Sequence, residues 1–272
     1  MNELLNEVTL IARTAGEAIM EVYRGHIEVE RKEDDSPLTV ADLAANHVIQ
    51  SNLKKLTPNL PIISEESASI DYSIRSGWRQ YWLVDPLDGT REFIKRNDEF
   101  TVNIALIEDG KPVLGVVYAP ALGLMYSSSA ETGSIKQQGT AAPTVIRARP
   151  LDTAQPVVAG SRSHAGEKLE AFLQQVETRL GPPKLLSLGS SLKICLVAEG
   201  EADVYPRLGP TSEWDTAAAQ AVLECAGGSI VDTQGRPLRY NTKDSLLNPE
   251  FFACGIAPPA WQHYLNGSGE TS

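Results

Sequence analysis

The sequence predicts an α+β unit followed by an α/β unit. Two stretches with helical spacing of apolar residues open the chain, and short strands joined by turns follow them, as in an antiparallel sheet covered by helices. After Pro150 strands and helices alternate, which is typical of an α/β layer. A chain of 272 residues lies between one large domain and two modest ones. We therefore expect an α+β domain at 1–150 with an antiparallel sheet and an α/β domain at 151–272.

The first half begins with two predicted helices. Apolar residues recur at helical spacing from Leu4 to Val22, and Gly25 supplies a stop. A second helix is expected from about Ala41 until Pro58 ends it. Its inward residues are expected to be Leu43, Ala44, Val48, Ile49, Leu53 and Leu56. The strands expected next lie at 61–64, 81–84, 100–107, 113–118, 124–128, 133–136 and 144–148. The turn at 108–111 contains Asp-Gly, a strong hairpin signal.

In the second half, predicted strands and helices alternate along the chain. Its expected strands lie at 157–159, 185–188, 202–205, 229–231 and 251–255. Its expected helices lie at 166–180, 191–199 and 215–225, the last one stopped by Gly227 and Gly228. We find no internal repeat.

Composition narrows the class of protein. The formal net charge of -11 argues against a binder of nucleic-acid polymers, which needs a basic surface, but it allows a small phosphorylated ligand. The 3 cysteines are far apart and are expected to be buried free thiols. No signal peptide or membrane-spanning run is found, so we expect a cytoplasmic protein. Peripheral association with the cytoplasmic face of the inner membrane and the oligomeric state stay open.

One segment, 82–90, combines features of a metal site and a phosphate site. An apolar strand runs into Asp85 and Asp88, whose oxygens can face one hard cation across a proline-stiffened turn, with the Leu87 carbonyl as a third ligand. The backbone amides of Gly89 and Thr90 open a predicted helix and suit a phosphate oxygen. The alternative is an ordinary turn, because Asp-Pro and Asp-Gly are common turn dipeptides.

Two further acidic clusters favour a single site. Glu65 and Glu66 end an apolar run, and Asp215 precedes an alanine-rich helix. Either glutamate could bind a metal, and helix capping is the alternative explanation for Asp42 and Asp215, which lie at predicted helix starts.

These motifs resemble those of the lithium-sensitive, magnesium-dependent phosphatases that include inositol monophosphatase and fructose-1,6-bisphosphatase. The matching segments are ISEES at 63–67, WLVDPLDGT at 82–90 and WDTAAAQAVLECAGG at 214–228. Within that superfamily the chain looks most like the CysQ-type 3'(2'),5'-bisphosphate nucleotidases. Three segments carry this likeness: SPLTVAD at 36–42, the segment at 85–107 and the segment at 189–218. The resemblance spans nearly the whole chain and implies a layered αβαβα sandwich.

The resemblance also implies roles at the metal site. Glu65, Asp85 and the Leu87 carbonyl would hold one Mg²⁺, and Asp85, Asp88 and Asp215 a second. A third, water-rich ion near Glu65 is compatible with the pattern. Thr90 and Asp42, assisted by Glu65, would orient and deprotonate the attacking water.

The implied substrate contacts lie mostly in the second half. His164 matches a position against the nucleotide, while Ser190, Lys193 and Arg207 match positions that hold the 5'-phosphate and nearby atoms. Without the resemblance, Lys193 would be predicted to be a solvated helix residue and His164 a loop residue of no special role.

The implied activity is hydrolysis of the 3'-phosphate of 3'-phosphoadenosine 5'-phosphate to AMP, as part of sulfate assimilation, with the 3'-phosphosulfate analogue as a second substrate. An inositol monophosphatase is the alternative enzyme, and a catalytically silent nucleotide or magnesium sensor is the alternative class. Lithium inhibition is also expected by resemblance.

Overall fold

The chain folds into five layers in the order helix, sheet, helix, sheet, helix. The structure is a computed structural model that describes residues 2–25, 29–31, 37–67, 70–160 and 166–265. The helices are α1 (Asn2–Arg24), α2 (Val40–Leu56), α3 (Tyr72–Arg75), α4 (Thr90–Lys95), α5 (Glu167–Leu180), α6 (Leu192–Ala198) and α7 (Glu213–Cys225), with 3₁₀ turns at Glu65–Ser67 and Trp261–Tyr264. No helix in these ranges is long and apolar enough to cross a bilayer.

Fourteen strands complete the described elements. In the first half they are β1 (Val29–Arg31), β2 (Pro37–Thr39), β3 (Ile62–Ser64), β4 (Gln80–Asp88), β5 (Thr101–Glu108), β6 (Lys111–Ala119), β7 (Leu124–Ser129), β8 (Gly133–Gln138) and β9 (Thr144–Val145). In the second half they are β10 (Val157–Gly160), β11 (Lys184–Ser187), β12 (Val204–Arg207), β13 (Ser229–Asp232) and β14 (Phe251–Cys254).

The larger sheet follows chain order from β3 to β9. β3 pairs parallel to β4, and the remaining neighbours pair antiparallel. The predicted hairpin between β5 and β6 is confirmed, since Asp109 and Gly110 both have positive φ, of 47° and 73°, as a two-residue hairpin turn requires. β9 is shorter than predicted, because the chain leaves β8 after Val145 and the Ala148 amide donates to the Ala226 carbonyl at the end of α7.

Helices α1 and α2 cover one face of this sheet and confirm the first two predicted helices. The predicted inward face of α2 is wrong at Leu43, which is 49% exposed. Asp42 is buried instead, and Ala45, Ile49 and Leu53 complete the buried face. Helical periodicity places Asp42, Ala45, Ile49 and Leu53 on one face of α2, and Leu43 lies off that face.

Helix α7 covers the opposite face of the same sheet, although it belongs to the second half of the chain. It packs closely over β6 at Gly115, where an added Cβ would lie 2.3 Å from the Ala218 carbonyl oxygen. Only glycine therefore fits at that point. The apolar residues between the sheet and α7 form one continuous core with residues from both halves.

The smaller sheet has the order β11-β10-β12-β14-β13. It packs against α6 and α7 on one side, and α5 closes the other side through Phe172 and Val176. Both sheets thus share the layer formed by α6 and α7, while the proposed domain boundary at residue 150 stays a prediction. Of the cysteines, Cys195 and Cys254 are buried and Cys225 is half-buried, and all are free thiols.

Candidate active site

A cavity of about 690 Å³ opens between the two halves of the chain. It has the size usual for small-molecule sites. The predicted site residues that line it are Glu65, Asp85, Leu87, Asp88, Gly89, Thr90, Arg207 and Asp215. Segments that lie far apart in the sequence therefore meet at one place. His164 lies outside the described residues.

The two aspartates of the central motif reach the same face of the sheet through a β-bulge. Residues three apart in a regular strand point to opposite faces. Asp85 pairs with Asn103 and Asp88 pairs with Thr101, so three steps on β4 match two steps on β5. The extra residue restores a common face, as bulges do. The predicted turn after Val84 is in fact a continuation of β4 as far as Asp88.

Asp85 is buried and tightly held. Its Oδ1 accepts a hydrogen bond of 3.0 Å from the Leu87 amide, an arrangement that the intervening proline favours because it has no amide to compete. Burial and the charges of Glu65 and Asp88 raise the pKa of Asp85 well above its ordinary value, and a side-chain hydrogen bond with Glu65 adds to this. Two acids in hydrogen-bond contact need either a proton or a cation between them.

Asp88 is fixed by the second half of the chain. The Ser191 amide donates to its Oδ2 at 2.6 Å, and Asn103 Nδ2 lies 3.4 Å from the same oxygen. Burial raises the pKa of Asp88 to about 6, against the opposing charge of Lys193. Burial and the charge of Asp88 likewise raise the pKa of Asp215 to about 8.

Asp42 and Asp215 occupy equivalent positions in two capping boxes. The Asp42 Oδ2 accepts from the Thr39 amide at 2.8 Å at the start of α2. The Asp215 Oδ2 accepts from the Ser212 amide at 2.9 Å at the start of α7. Helix capping therefore accounts for one oxygen of each carboxylate and fixes the orientation of the whole group. A capping role and a role in the cavity are compatible.

Thr90 connects Asp42 to the central motif. Its Oγ1 lies 3.4 Å from the Asp42 Oδ1 and 3.4 Å from the Leu87 carbonyl oxygen. Gly89 precedes it with φ of 91°, a left-handed conformation that suits glycine. The predicted relay pair is thus adjacent, with the threonine hydroxyl between a carboxylate and the carbonyl.

A smaller cavity of about 120 Å³ adjoins the first and shares Asp88, Arg207 and Asp215 with it. Ser190 and Lys193 also line it. The Ser190 Oγ and the Arg207 Nε are buried without a hydrogen-bond partner in the described structure. Two hydrogen-bond donors without partners beside a buried lysine suit an anion.

Lys193 is buried rather than solvated. Its Nζ donates to the Ser190 carbonyl at 2.7 Å and to the Leu188 carbonyl at 3.1 Å, and it lies over the Tyr205 ring. Burial lowers the pKa of Lys193 to about 8, partly offset by the charge of Asp88. The lysine therefore holds the 188–190 loop as well as placing a positive charge next to the cavity.

The carboxylates fit a divalent cation that keeps bound water. Buried oxygens that raise one another's pKa are the ligand type that Mg²⁺ prefers. Within the described ranges no three acidic, histidine or cysteine side chains converge closely enough to form a closed metal cage. The set Asp85, Asp88 and Asp215 is therefore not assembled around one point here, and the ligand assignments stay predictions. One or two carboxylates completed by water and phosphate are typical of Mg²⁺.

The structure adds residues that sequence reasoning missed. Thr101, Asn103 and Ser191 form a polar group behind Asp88. A signal for the first two was present, since they are polar residues at alternate positions in an apolar strand. Tyr205 and Thr211, which line both cavities, carried no such signal.

Comparisons with known proteins agree on the family. Residues 1–265 match the inositol monophosphatase family. The "3'(2'),5'-bisphosphate nucleotidase CysQ" of Salmonella typhimurium is 52% identical over 250 residues, which cover 91% of this chain and 98% of that protein. The crystal structure of CysQ from Bacteroides thetaiotaomicron has 39% identity and a TM-score of 0.82, over 93% of this chain and 97% of that one. The suhB protein of Bartonella henselae, at 23% identity and a TM-score of 0.77 over 97% of this chain and 99% of that one, shares the fold.

Proposed function

The chain belongs to the inositol monophosphatase family, and we propose that it is a Mg²⁺-dependent 3'(2'),5'-bisphosphate nucleotidase. In this proposal it hydrolyses the 3'-phosphate of 3'-phosphoadenosine 5'-phosphate to give AMP and phosphate. The name of the relative with 52% identity over nearly its whole length supports this activity. The observation that carries it is the pair of adjoining cavities. Carboxylates line the larger cavity, and the smaller cavity, which shares Asp88 and Asp215 with it, adds Lys193 and the unpartnered donors of Ser190 and Arg207.

Glu65, Asp85, Asp88, Asp215 and the Leu87 carbonyl would hold two Mg²⁺ ions, with Asp85 shared between them, and a third ion would lie near Glu65. Bound there, the metal would lower the pKa of a coordinated water and stabilise charge on the leaving oxygen. The hydrogen bond between Glu65 and Asp85 supports this assignment over Glu66, which does not line the cavity.

Thr90 and Asp42 would orient the attacking water. The Thr90 Oγ1 can donate its proton to the Asp42 Oδ1 and accept one from water, provided that the present separation of 3.4 Å shortens in the substrate complex. The capping box holds the Asp42 carboxylate in the orientation that this transfer needs. The Gly89 and Thr90 amides would bind a phosphate oxygen.

The smaller cavity would receive the 5'-phosphate. The Ser190 Oγ and the Arg207 Nε would donate to phosphate oxygens and so gain the partners they lack. The Lys193 charge beside the cavity would add attraction for the phosphate. His164 stays in the proposal as a contact to the nucleotide. A monophosphate such as inositol 1-phosphate would leave this cavity unfilled, which favours the bisphosphate over the inositol monophosphatase alternative.

The experiment is phosphate release from 3'-phosphoadenosine 5'-phosphate, its phosphosulfate analogue and inositol 1-phosphate, measured side by side with Mg²⁺ and then with a chelator. We expect preference for the bisphosphate and loss of turnover on chelation. Preference for the inositol ester would overturn the assignment of the smaller cavity. Tight nucleotide binding without turnover would favour the sensor. Undiminished turnover in millimolar lithium would contradict the expected Li⁺ inhibition.

The cytoplasmic location and the absence of nucleic-acid polymers among the partners belong to the same proposal. Fractionation of cells that express the tagged protein tests the first. Recovery in a washed membrane fraction would instead indicate peripheral association at the inner membrane.

A further inference from the structure

The loop at 189–191 lines the smaller cavity through Ser190 and Ser191, and it contacts Asp88, which lines both cavities. Ser190 lines the smaller cavity, and its buried Oγ has no hydrogen-bond partner. The amide of the next residue, Ser191, donates to the Asp88 Oδ2 at 2.6 Å, the shortest of the contacts described for that carboxylate. A single peptide unit therefore joins Ser190 to the hydrogen bond that holds Asp88, a residue of both cavities.

The loop holds an unfavourable backbone conformation to make these contacts. Ser190 has φ of 51°, in the left-handed region that few residues other than glycine adopt without cost. Gly189 and Lys193 fix the loop on either side. The Gly189 amide donates to the Glu99 Oε2 at 2.8 Å, and Lys193 holds the Ser190 carbonyl. A change of Ser190 to negative φ would move the Ser191 amide away from Asp88.

The Ser191 side chain organises the remaining contacts of Asp88. Its Oγ donates to the Asn103 Oδ1 at 2.8 Å. A hydroxyl has only one proton to donate, so in the 2.9 Å hydrogen bond between the Ser191 and Thr101 hydroxyls the Thr101 hydroxyl is the donor. Because the Asn103 Oδ1 is turned to Ser191, its Nδ2 is turned to Asp88. Ser191 thus contributes its amide directly and its hydroxyl through Asn103.

We infer that Ser191 is a positioning residue for Asp88, and that the 189–191 loop couples an anion in the smaller cavity to the affinity of the larger cavity for a divalent cation. This inference rests on the proposed function. An anion gives the Ser190 Oγ its missing partner and offsets the cost of the positive φ. It therefore favours the loop conformation in which the Ser191 amide fixes Asp88. By linkage, the cation favours anion binding to the same degree.

AMP is a suitable probe, because it carries the 5'-phosphate but has no 3'-phosphate to hydrolyse. Binding of Mg²⁺ is measured by titration calorimetry with saturating AMP or with adenosine, after subtraction of the Mg²⁺–AMP complex. For the parent protein we expect AMP to lower the Kd for Mg²⁺ about fivefold or more, the usual lower range for coupled sites. An equal Kd with AMP and with adenosine overturns the coupling.

Two variants of Ser190 separate the hydroxyl from the backbone conformation. Ser190→Gly loses the hydroxyl but adopts the left-handed region freely, so we expect it to bind Mg²⁺ at least as tightly as the parent and to show no effect of AMP. Ser190→Ala lacks the same hydroxyl and keeps the unfavourable φ, and we expect it to bind Mg²⁺ no more tightly than the parent. An AMP effect that persists in Ser190→Gly would show that the nucleotide contacts the ion directly, and it overturns the inference.

Ser191→Ala keeps the amide and tests, without nucleotide, the part of the positioning role that passes through the hydroxyl and Asn103. Loss of a group that orients a metal ligand usually costs about tenfold or more in metal affinity, and we expect a Kd for Mg²⁺ about tenfold higher. Ser76→Ala, at an exposed serine on the C-terminal side of α3, is the matched control and keeps the parent Kd. A parental Kd in a folded Ser191→Ala protein overturns the role of the Ser191 hydroxyl. If the parent protein fails to hydrolyse the bisphosphate, the proposed function fails, while this binding measurement still decides the role of Ser191.

Discussion

Replacing Lys193 with methionine should reduce the preference for a bisphosphate while leaving the protein folded. The Lys193 side chain is 5% exposed, and its Nζ donates to two loop carbonyls. Each hydrogen bond from a charged donor contributes about 1.5–3 kcal/mol. The lowering of the pKa from 10.5 to about 8 means that charging this lysine costs roughly 3 kcal/mol in the folded protein. These effects oppose each other, so we expect the free energy of unfolding at pH 7 to change by no more than about 2 kcal/mol.

Substrate binding has no such compensation. A unit charge about 5 Å from a phosphate contributes roughly 3 kcal/mol at an effective dielectric of about 20, which is about a hundredfold in affinity. We therefore expect kcat/KM for 3'-phosphoadenosine 5'-phosphate to fall about a hundredfold in Lys193→Met. The value for 3'-AMP, which has no 5'-phosphate, should change much less. Lys184→Met, at an exposed lysine on β11, is the matched control.

The same charge predicts a pH dependence. The folded pKa of about 8 lies below the ordinary value, so between pH 8 and 10.5 the unfolded chain holds a proton that the folded protein lacks. This group therefore makes the free energy of unfolding rise with pH across that window. In the same window the parent protein should lose its preference for the bisphosphate over 3'-AMP, and Lys193→Met should show no such change. The ratio of the two kcat/KM values is the quantity to measure, because both substrates share the catalytic groups. A ratio that falls equally with pH in both proteins would refute the reasoning.

Three further predictions concern the site and the core. Asp88→Asn should lower kcat at least about a hundredfold and weaken the dependence on Mg²⁺, because a charged ligand is lost, and a Mg²⁺ titration of turnover that matches the parent would remove Asp88 from the metal site. Thr90→Val should lower kcat about a hundredfold with little change in KM, whereas Thr90→Ser should retain most activity, and equal losses in both variants would argue against the hydroxyl relay. Gly115→Ala should lower the free energy of unfolding by about 1–3 kcal/mol, as measured by urea denaturation, because the new methyl group meets the Ala218 carbonyl. Ala141→Gly, at an exposed loop position, is the control for a change of one methyl group.

The sequence by itself predicted most elements and most of the acidic residues that line the larger cavity. Helical and alternating periodicities are local properties, so α1, α7 and the β5–β6 hairpin could be predicted from neighbouring residues. Family motifs, which need no coordinates, indicated Glu65, Asp85, Asp88 and Asp215, which line the larger cavity, but not Glu92, which lines it too. The spacing of Asp85 and Asp88, in contrast, predicted a turn, because only pairing with β5 creates the bulge that puts both on one face.

Tertiary structure decided which groups orient the site residues. In α2 Asp42 is buried and Leu43 is exposed, an orientation set by packing against the rest of the fold that no local pattern contains. Lys193 is turned inward by the carbonyls of its own loop, and Ser191 reaches Asp88 from 103 residues away. Sequence spacing carries no information about such contacts, since they depend on how the α6–α7 layer packs between the two sheets. The residue types thus follow from the sequence, while their orientations and partners follow from the packing of distant segments.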